Sequence, residues 1–196
     1  MSSPAETTLH RRLSSAQLEK RKRIVQAGIE LARVHGYDGF TTRDVAAQAN
    51  VALGTVYKNF TSKDHLLAEG LLEWSSEFDH QLSTQPIRGR TVTTRLIELY
   101  ERMAIRASHE PALYEALRRA IMSTDISVQS ARKTHLQGSR KWFELAIGDA
   151  QIEDESTFIE VLEYLFVGAF LTTPTGEDPK GLIDRLERSV RFIAPK

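Results

Sequence analysis

The stretch Phe40-Thr-Thr-Arg-Asp-Val-Ala-Ala-Gln-Ala-Asn-Val-Ala-Leu-Gly-Thr-Val-Tyr-Lys-Asn-Phe60 leaves the chain least choice of fold. Its apolar residues recur at helical spacing in two short runs, Thr42 to Asn50 and Leu53 to Phe60, with room between them only for a very tight turn. Thr41 and Asp44 have the spacing of a capping box, with Asp in place of the usual Glu or Gln. Val45, Ala46 and Ala49 are predicted to face inward, and the small alanines let a second helix approach closely. Asn50 falls where the backbone must turn, and Asn is one of the few non-glycine residues that tolerate a left-handed conformation. Val51 plugs the gap between the helices, while Val56 and Phe60 hold the second against a preceding one. Thr55, Tyr57, Lys58 and Asn59 remain on the outer face, with Gly54 at the N-terminal turn. A short helix presenting hydrogen-bonding side chains in this way suits a DNA major groove. The same spacing also serves a helical hairpin in an ordinary bundle.

The rest of the chain reads as helix. Ile24, Ala27, Gly28, Leu31, Ala32 and His35 mark one face of a helix that Gly36 stops. Gly28 within that face costs about 0.5–1 kcal/mol relative to Ala unless a neighbour packs tightly against it. A longer helix follows, with Leu67, Leu71, Trp74 and Phe78 on its apolar side. Gln85-Pro86-Ile87-Arg88-Gly89 ends it, His109-Glu110-Pro111 interrupts the next, Ser123-Thr124-Asp125 offers caps, and Pro174, Gly176 and Pro179 separate the last two. About nine helices without period-two alternation give an all-α fold. Three parts are expected: residues 1–15, a polar tail carrying Arg11 and Arg12; residues 16–65, a three-helix DNA-binding module; and residues 66–196, a helical body.

A chain 41% hydrophobic and 27% charged fits a globular protein. Its longest apolar run, Leu165 to Leu171, is far short of the roughly 20 residues of a spanning helix, and the first residues lack the apolar run of a secretory signal. A cytoplasmic protein without membrane contact is expected. With no cysteine, disulfides, thiolate zinc sites and thiol catalysis are excluded. The net charge is zero, but residues 1–65 carry an excess of four positive charges and the remainder an equal negative excess. A basic end on an acidic body orients a protein on a polyanion.

The order Arg21-Lys-Arg-Ile24, Gly36-Tyr-Asp-Gly-Phe-Thr-Thr-Arg-Asp-Val-Ala46, Gly54-Thr-Val-Tyr-Lys-Asn-Phe60 and Ser62-Lys63-Asp64-His65-Leu66 resembles the DNA-binding domain of the TetR family of transcriptional regulators. The wording Ala-Leu-Gly-Thr-Val-Tyr weakly resembles the steroid-catabolism regulators within it. Two positions depart from the family pattern: Asn50 stands in place of a usual Gly, and Ala52 in place of the Ser or Thr that caps the recognition helix. Ala cannot accept that capping hydrogen bond. The resemblance implies a dimer that places two recognition helices on a palindromic double-stranded operator. On it, Thr42 and Arg43 reach a phosphate or groove edge, Thr55, Lys58 and Asn59 read bases, and Tyr57 and Lys63 grip phosphates. Lys20 to Arg23 form a further basic cluster.

The resemblance also implies a C-terminal domain that binds a small molecule and dimerises. Trp74, Phe78, Tyr100, Met103, Tyr114, Trp142, Phe143 and Phe166 are candidates to line a cavity for an apolar effector, although aromatic stripes of this kind also make plain core. A helix from Ser156 to Thr172 is apolar around too much of its surface for a lone surface helix. Phe158, Leu162, Leu165 and Ala169, together with Leu186 and Val190 of the last helix, are the expected dimer interface. Glu77-Phe-Asp-His80 is the one foothold for a bundle metal centre, and it lacks the second copy such centres need. No phosphate loop, nucleophile elbow or His-Glu-x-x-His is present. No catalytic residue, cofactor or metal ligand is therefore assigned. A metal-sensing regulator and a nonspecific architectural DNA binder stay open as alternatives.

Overall fold

The computed structural model describes residues 14–172 and 178–194, without the side chains of Phe170 and Thr172. The expected tail falls outside it up to residue 13, as do Pro174 and Gly176. Among the described residues there are nine α-helices and no strand: α1 Ser15–His35, α2 Thr42–Gln48, α3 Leu53–Asn59, α4 Lys63–Thr84, α5 Val92–His109, α6 Pro111–Ile121, α7 Gln129–Ile147, α8 Glu155–Thr172 and α9 Lys180–Ile193. A single 3-10 turn, Ile126–Val128, leads into α7. The all-α reading holds.

Local chemistry sets most of the boundaries. Ser14 and Gln17 form a capping box at α1, Thr41 and Asp44 at α2, and Thr91 and Thr94 at α5, while Ser62 caps α4. Arginines close helices from a distance. Arg95 of α5 donates to the carbonyls of Ala146 and Ile147 at the end of α7 (2.5 and 2.6 Å). Arg132 of α7 does the same for Ile121 and Ser123 after α6 (2.9 and 2.7 Å). These bonds satisfy carbonyls that a helix end leaves without partners.

Two apolar clusters fill the interior. The first joins α1, α2 and α3 to α4 and α6, with Ile24, Val45, Val56, Phe60, Leu67, Leu71 and Leu117 at its centre. The second joins α5, α7, α8, α9 and the far half of α4, around Phe78, Leu99, Tyr100, Phe143, Leu162 and Val190. Helix α4 therefore belongs to both, and it runs unbroken across residue 65. Gly28 finds the close neighbour its position demands, because a Cβ there would lie 3.1 Å from Cδ2 of Leu66 on α4. Helix α8 is locked to α5 by the buried Tyr100, whose hydroxyl donates to the Leu162 carbonyl at 2.7 Å. None of the described helices is long and apolar enough to cross a membrane.

Candidate DNA-reading surface and its braces

Helices α2 and α3 meet through a turn closed by two backbone bonds, Asn50 N–H to the Ala47 carbonyl (3.1 Å) and Val51 N–H to the Ala46 carbonyl (3.0 Å). Asn50 has φ 52°, the left-handed conformation expected of it. Val45 and Val56 are completely buried beneath the hairpin, which fixes the rotation of both helices. Arg43, Tyr57 and Lys58 emerge on the outside, with Thr42 and Thr55 half-buried beside them. The hydroxyls of Thr42 and Tyr57 lie 3.0 Å apart, joining the outer faces of the two helices. A Cβ on Gly54 would meet nothing within 4 Å. Packing within the chain therefore does not require glycine there. Helix α3 has no side-chain cap at Ala52, as the missing oxygen dictates.

Two expected contact residues are turned elsewhere. The Asn59 amide donates to the Thr55 carbonyl one turn back (2.8 Å), and the Asn59 carbonyl accepts from Arg21 (2.9 Å). An amide that can bond its own helix does so when no base competes. The Lys63 ammonium lies beneath the α1–α2 loop, donating to the carbonyls of Tyr37 and Phe40 (2.7 Å to the latter) and sitting 4.5 and 4.0 Å from their ring centroids. Burial lowers its pKa from the ordinary lysine value. The expectation of a phosphate contact is corrected for this state: the ammonium holds the loop shape. In the same loop a Cβ at Gly39 would collide with the His35 carbonyl, so the Gly-Tyr-Asp-Gly-Phe run and Lys63 form one structural unit.

Arg21 is the residue that sequence reading undervalued. It was one member of a basic cluster; in the structure it donates to the end of α3, pairs with Glu69 of α4 at 3.1 Å and lies over the Phe60 ring at 4.2 Å. Its spacing from Ile24, one turn away on the buried side of α1, was the available signal. Lys20, Lys22 and Arg23 stay exposed.

Three polar braces tie this unit to the helical body. Arg33 at the end of α1 donates to Glu110 (2.5 Å), the hinge residue between α5 and α6, and Glu110 also accepts from the Trp74 indole N–H of α4 (3.1 Å). Burial works against the Glu110 carboxylate, and the bonds from Arg33 and Trp74 outweigh it, holding the carboxyl below its ordinary value. Arg119 of α6 pairs with Asp38 (2.7 Å) and lies 4.0 Å from the Tyr37 ring centroid. Asp125, ahead of α7, bonds the Ser62 side chain and the Ser127 N–H, which hold its carboxyl down at about 2.

In the body, the expected cavity residues pack as core. Trp74 and Tyr114 belong to the first cluster, Phe78, Tyr100, Trp142 and Phe143 to the second, while half-buried Phe166 packs against both and half-buried Met103 against the second. An open groove of about 460 Å³ lies along α4, lined by Glu73, Ser76, Glu77, His80 and Gln81, and touches none of them. Glu77 in that groove pairs with Arg106 at 2.7 Å. Among the described residues no three His, Cys, Asp or Glu side chains are grouped to hold a metal ion.

The expected interface also needs correction. Leu162, Leu186 and Val190 are buried in the chain's own second cluster, because α8 and α9 turn these faces toward α5 and α7. Phe158, Leu165 and Ala169 are half-buried against the same cluster. Among the described side chains, the large apolar ones that α8 and α9 leave outside are Tyr164, Leu171 and, almost fully exposed, Phe192.

Residues 24–69 match the family described as bacterial regulatory proteins, tetR family. The chain is 38% identical over 114 residues to the HTH-type transcriptional repressor KstR of Rhodococcus jostii, covering 58% of this chain and 53% of that protein. It is 37% identical over 117 residues to KstR of Mycobacterium tuberculosis, covering 60% and 53%. The chain thus spans about half the length of the curated relatives it matches. The fold is similar to that of a TetR transcriptional regulator from Rhodococcus sp. RHA1, with a TM-score of 0.77, 20% identity, and coverage of 90% of this chain and 96% of that one. FadR from Bacillus subtilis, solved in complex with stearoyl-CoA, has a TM-score of 0.62 at 15% identity over 86% and 96% of the two chains. The motif, the hairpin geometry and these similarities agree: residues 24–69 match the N-terminal domain described as bacterial regulatory proteins, tetR family, and the described fold is similar to that of a TetR regulator.

Proposed function

We propose that the protein is a cytoplasmic, ligand-responsive transcriptional repressor, not an enzyme, that binds a palindromic operator as a homodimer and leaves it when an apolar small molecule enters the helical body. The observation that carries this reading is the outward face of the α2–α3 hairpin, where Arg43, Tyr57 and Lys58 stand exposed around an unencumbered Gly54. Residues 16–65 form the reading module and residues 66–196 the responsive body, with α4 the rigid rod that continues from one into the other. Lys58 and Thr55 read base edges; Thr42, Arg43 and Tyr57 hold the backbone. Asn59 joins them by releasing the Thr55 carbonyl. Dimerisation uses the outer sides of α8 and α9, with Tyr164, Leu171 and Phe192 in place of the buried Leu162, Leu186 and Val190.

Response travels through the braces. A ligand that shifts α6 or the α5–α6 hinge changes Glu110 and Arg119 together, and these residues grip the end of α1 and the loop above Lys63. Coupling of about 1–3 kcal/mol through such contacts lowers operator affinity about 5- to 150-fold. Relatives named as repressors, and a neighbour of the same fold solved with stearoyl-CoA, support the reading. Selection of bound sequences from random double-stranded DNA tests it. An enriched palindrome with half-sites about 34–36 Å apart is expected; a pool that stays random, with binding that falls steeply in salt, identifies a nonspecific binder.

A further inference from the structure

Among the described residues three polar side chains are buried, Ser75, His135 and Ser139, and they lie together. The Ser75 hydroxyl on α4 is 3.1 Å from Nδ1 of His135 on α7, and Ser139 follows one turn later, bonded to the Leu136 carbonyl of its own helix. The place is the seam between the two apolar clusters. Ser75 stands between Trp74 of the first and Phe78 of the second, and Phe166, which touches the His135 surroundings from α8, packs against both. The rings of Trp142 and Phe166 lie 6.2 and 6.3 Å from the imidazole and 6.1 Å from each other, with Phe78 edge-on to Trp142 at 5.0 Å.

Nothing in the fold demands polarity there. The helices satisfy their own backbones, and an apolar pair would fill the seam without the cost of desolvating a hydroxyl and an imidazole. His135 Nδ1 is engaged by Ser75, whereas Nε2 makes no hydrogen bond to a described residue and, unlike Arg106 Nε, is not a fully buried atom left without a partner, so it stays within reach of an incoming molecule. Burial pushes the imidazole pKa down to about 4, against the opposing pull of the Asp79 carboxylate that accepts from the Trp142 indole N–H, so the ring is neutral at neutral pH. An aromatic wall with a few convergent polar atoms is the composition of a small-molecule site.

We infer that this seam is the polar anchor of the effector site: His135 Nε2, oriented by Ser75, hydrogen-bonds one uncharged oxygen, a hydroxyl or keto group, of an otherwise apolar molecule lying against Phe78, Trp142 and Phe166. The inference rests on the ligand-responsive reading above and assigns the chemical class of the ligand. Helix α8 is the element that yields, since Val161, Leu165, Phe166 and Val167 are only half-buried on it. A carboxylate-tipped molecule is disfavoured, because the neutral ring offers it no compensating charge.

The test titrates the full-length protein with 1-decanol, 2-decanone and decanoate at pH 8, following tryptophan emission in a Trp74→Phe background that leaves the adjoining Trp142 as the reporter, with His135 and Ser75 native and in His135→Leu, Ser75→Ala and His135→Gln. Circular dichroism confirms that each variant is folded. Saturable binding of the alcohol and ketone at least about tenfold tighter than decanoate is expected. His135→Leu should lose about tenfold toward the alcohol, Ser75→Ala less, and His135→Gln, which keeps a hydrogen-bonding group, should recover part of it. No saturable binding of the alcohol or ketone, equal binding of decanoate, or an unchanged alcohol affinity in His135→Leu overturns the assignment. Operator release is measured in the same titrations on the selected operator: probe binding at His135 without release leaves this site standing and removes the ligand-responsive reading.

Discussion

The α2–α3 hairpin and the α8–α9 pair are both two-helix units, yet different forces orient them. In the hairpin each rotation is fixed within about 20 residues of sequence: the Thr41–Asp44 box starts α2, Asn50 turns the chain, and Val45 and Val56 are buried in the first cluster. Helix α8 has a local cap, the Asp154 carboxylate accepting from the Thr157 N–H at 3.1 Å, but nothing local that sets its rotation. It is apolar around most of its circumference, and its inward side is chosen by distant partners, above all Tyr100 of α5 bonding the Leu162 carbonyl. A unit whose rotation is set locally announces its outer face; a unit whose rotation is set by distant partners does so only once the body is packed.

Core truncations give the largest expected effects and probe the contrast directly. Phe60→Ala in the reading module and Leu162→Ala in the body should cost about 3–5 and 2–5 kcal/mol in chemical denaturation, since both side chains are essentially fully buried. Phe192→Ala, on the outside of α9, should change protomer stability by less than about 0.5 kcal/mol but weaken self-association in analytical ultracentrifugation. If Leu162→Ala instead leaves stability intact and only dissociates the dimer, the two regions are not oriented as described.

Next in size is a pH effect. His135 is held neutral, with its folded pKa near 4 below the unfolded value of about 6.5. The unfolded chain therefore binds the extra proton. The neutral ring's contribution is complete above pH 6.5 and is lost as pH falls toward 4, amounting to about 2–3 kcal/mol. Denaturation between pH 7 and 4 should show this slope in wild type, and His135→Leu should flatten it.

Lys63→Met should cost about 1–3 kcal/mol, because the Tyr37 and Phe40 carbonyls lose their ammonium and the α1–α2 loop loosens. Its salt dependence of DNA binding should match wild type. A slope reduced by about 1 would return Lys63 to the phosphates. The smallest change is a gain: Ala52→Ser supplies the oxygen that α3 lacks and should add about 1 kcal/mol, read as a raised melting temperature.

Much of the reading module was legible in the sequence, because capping pairs, a turn-tolerant Asn and the spacing of Val45 and Val56 are local signals. What escaped was where long side chains end. Lys63 and Arg21 are flexible cations near a surface, and only the folded loop shows that carbonyls and rings capture them. In the body, helix boundaries were readable from Pro86, Pro111 and Asp125, but the pairing of helices was not. Leu162 and Tyr164 are near neighbours on α8, yet one is in the core and the other outside. Ser75 and His135 are 60 residues apart, and no periodicity on either helix brings them together.

The central claim is that exposed side chains of α3 read base edges while Arg21 and Lys63 hold that helix and the neighbouring loop in place. Sequence selection from random DNA, run side by side on wild type and Lys58→Ala, tests it most directly. The account predicts a palindrome for wild type and, for the variant, the same palindrome with discrimination lost at one position in each half-site. A variant that enriches the identical site with the same preference at every position would contradict it.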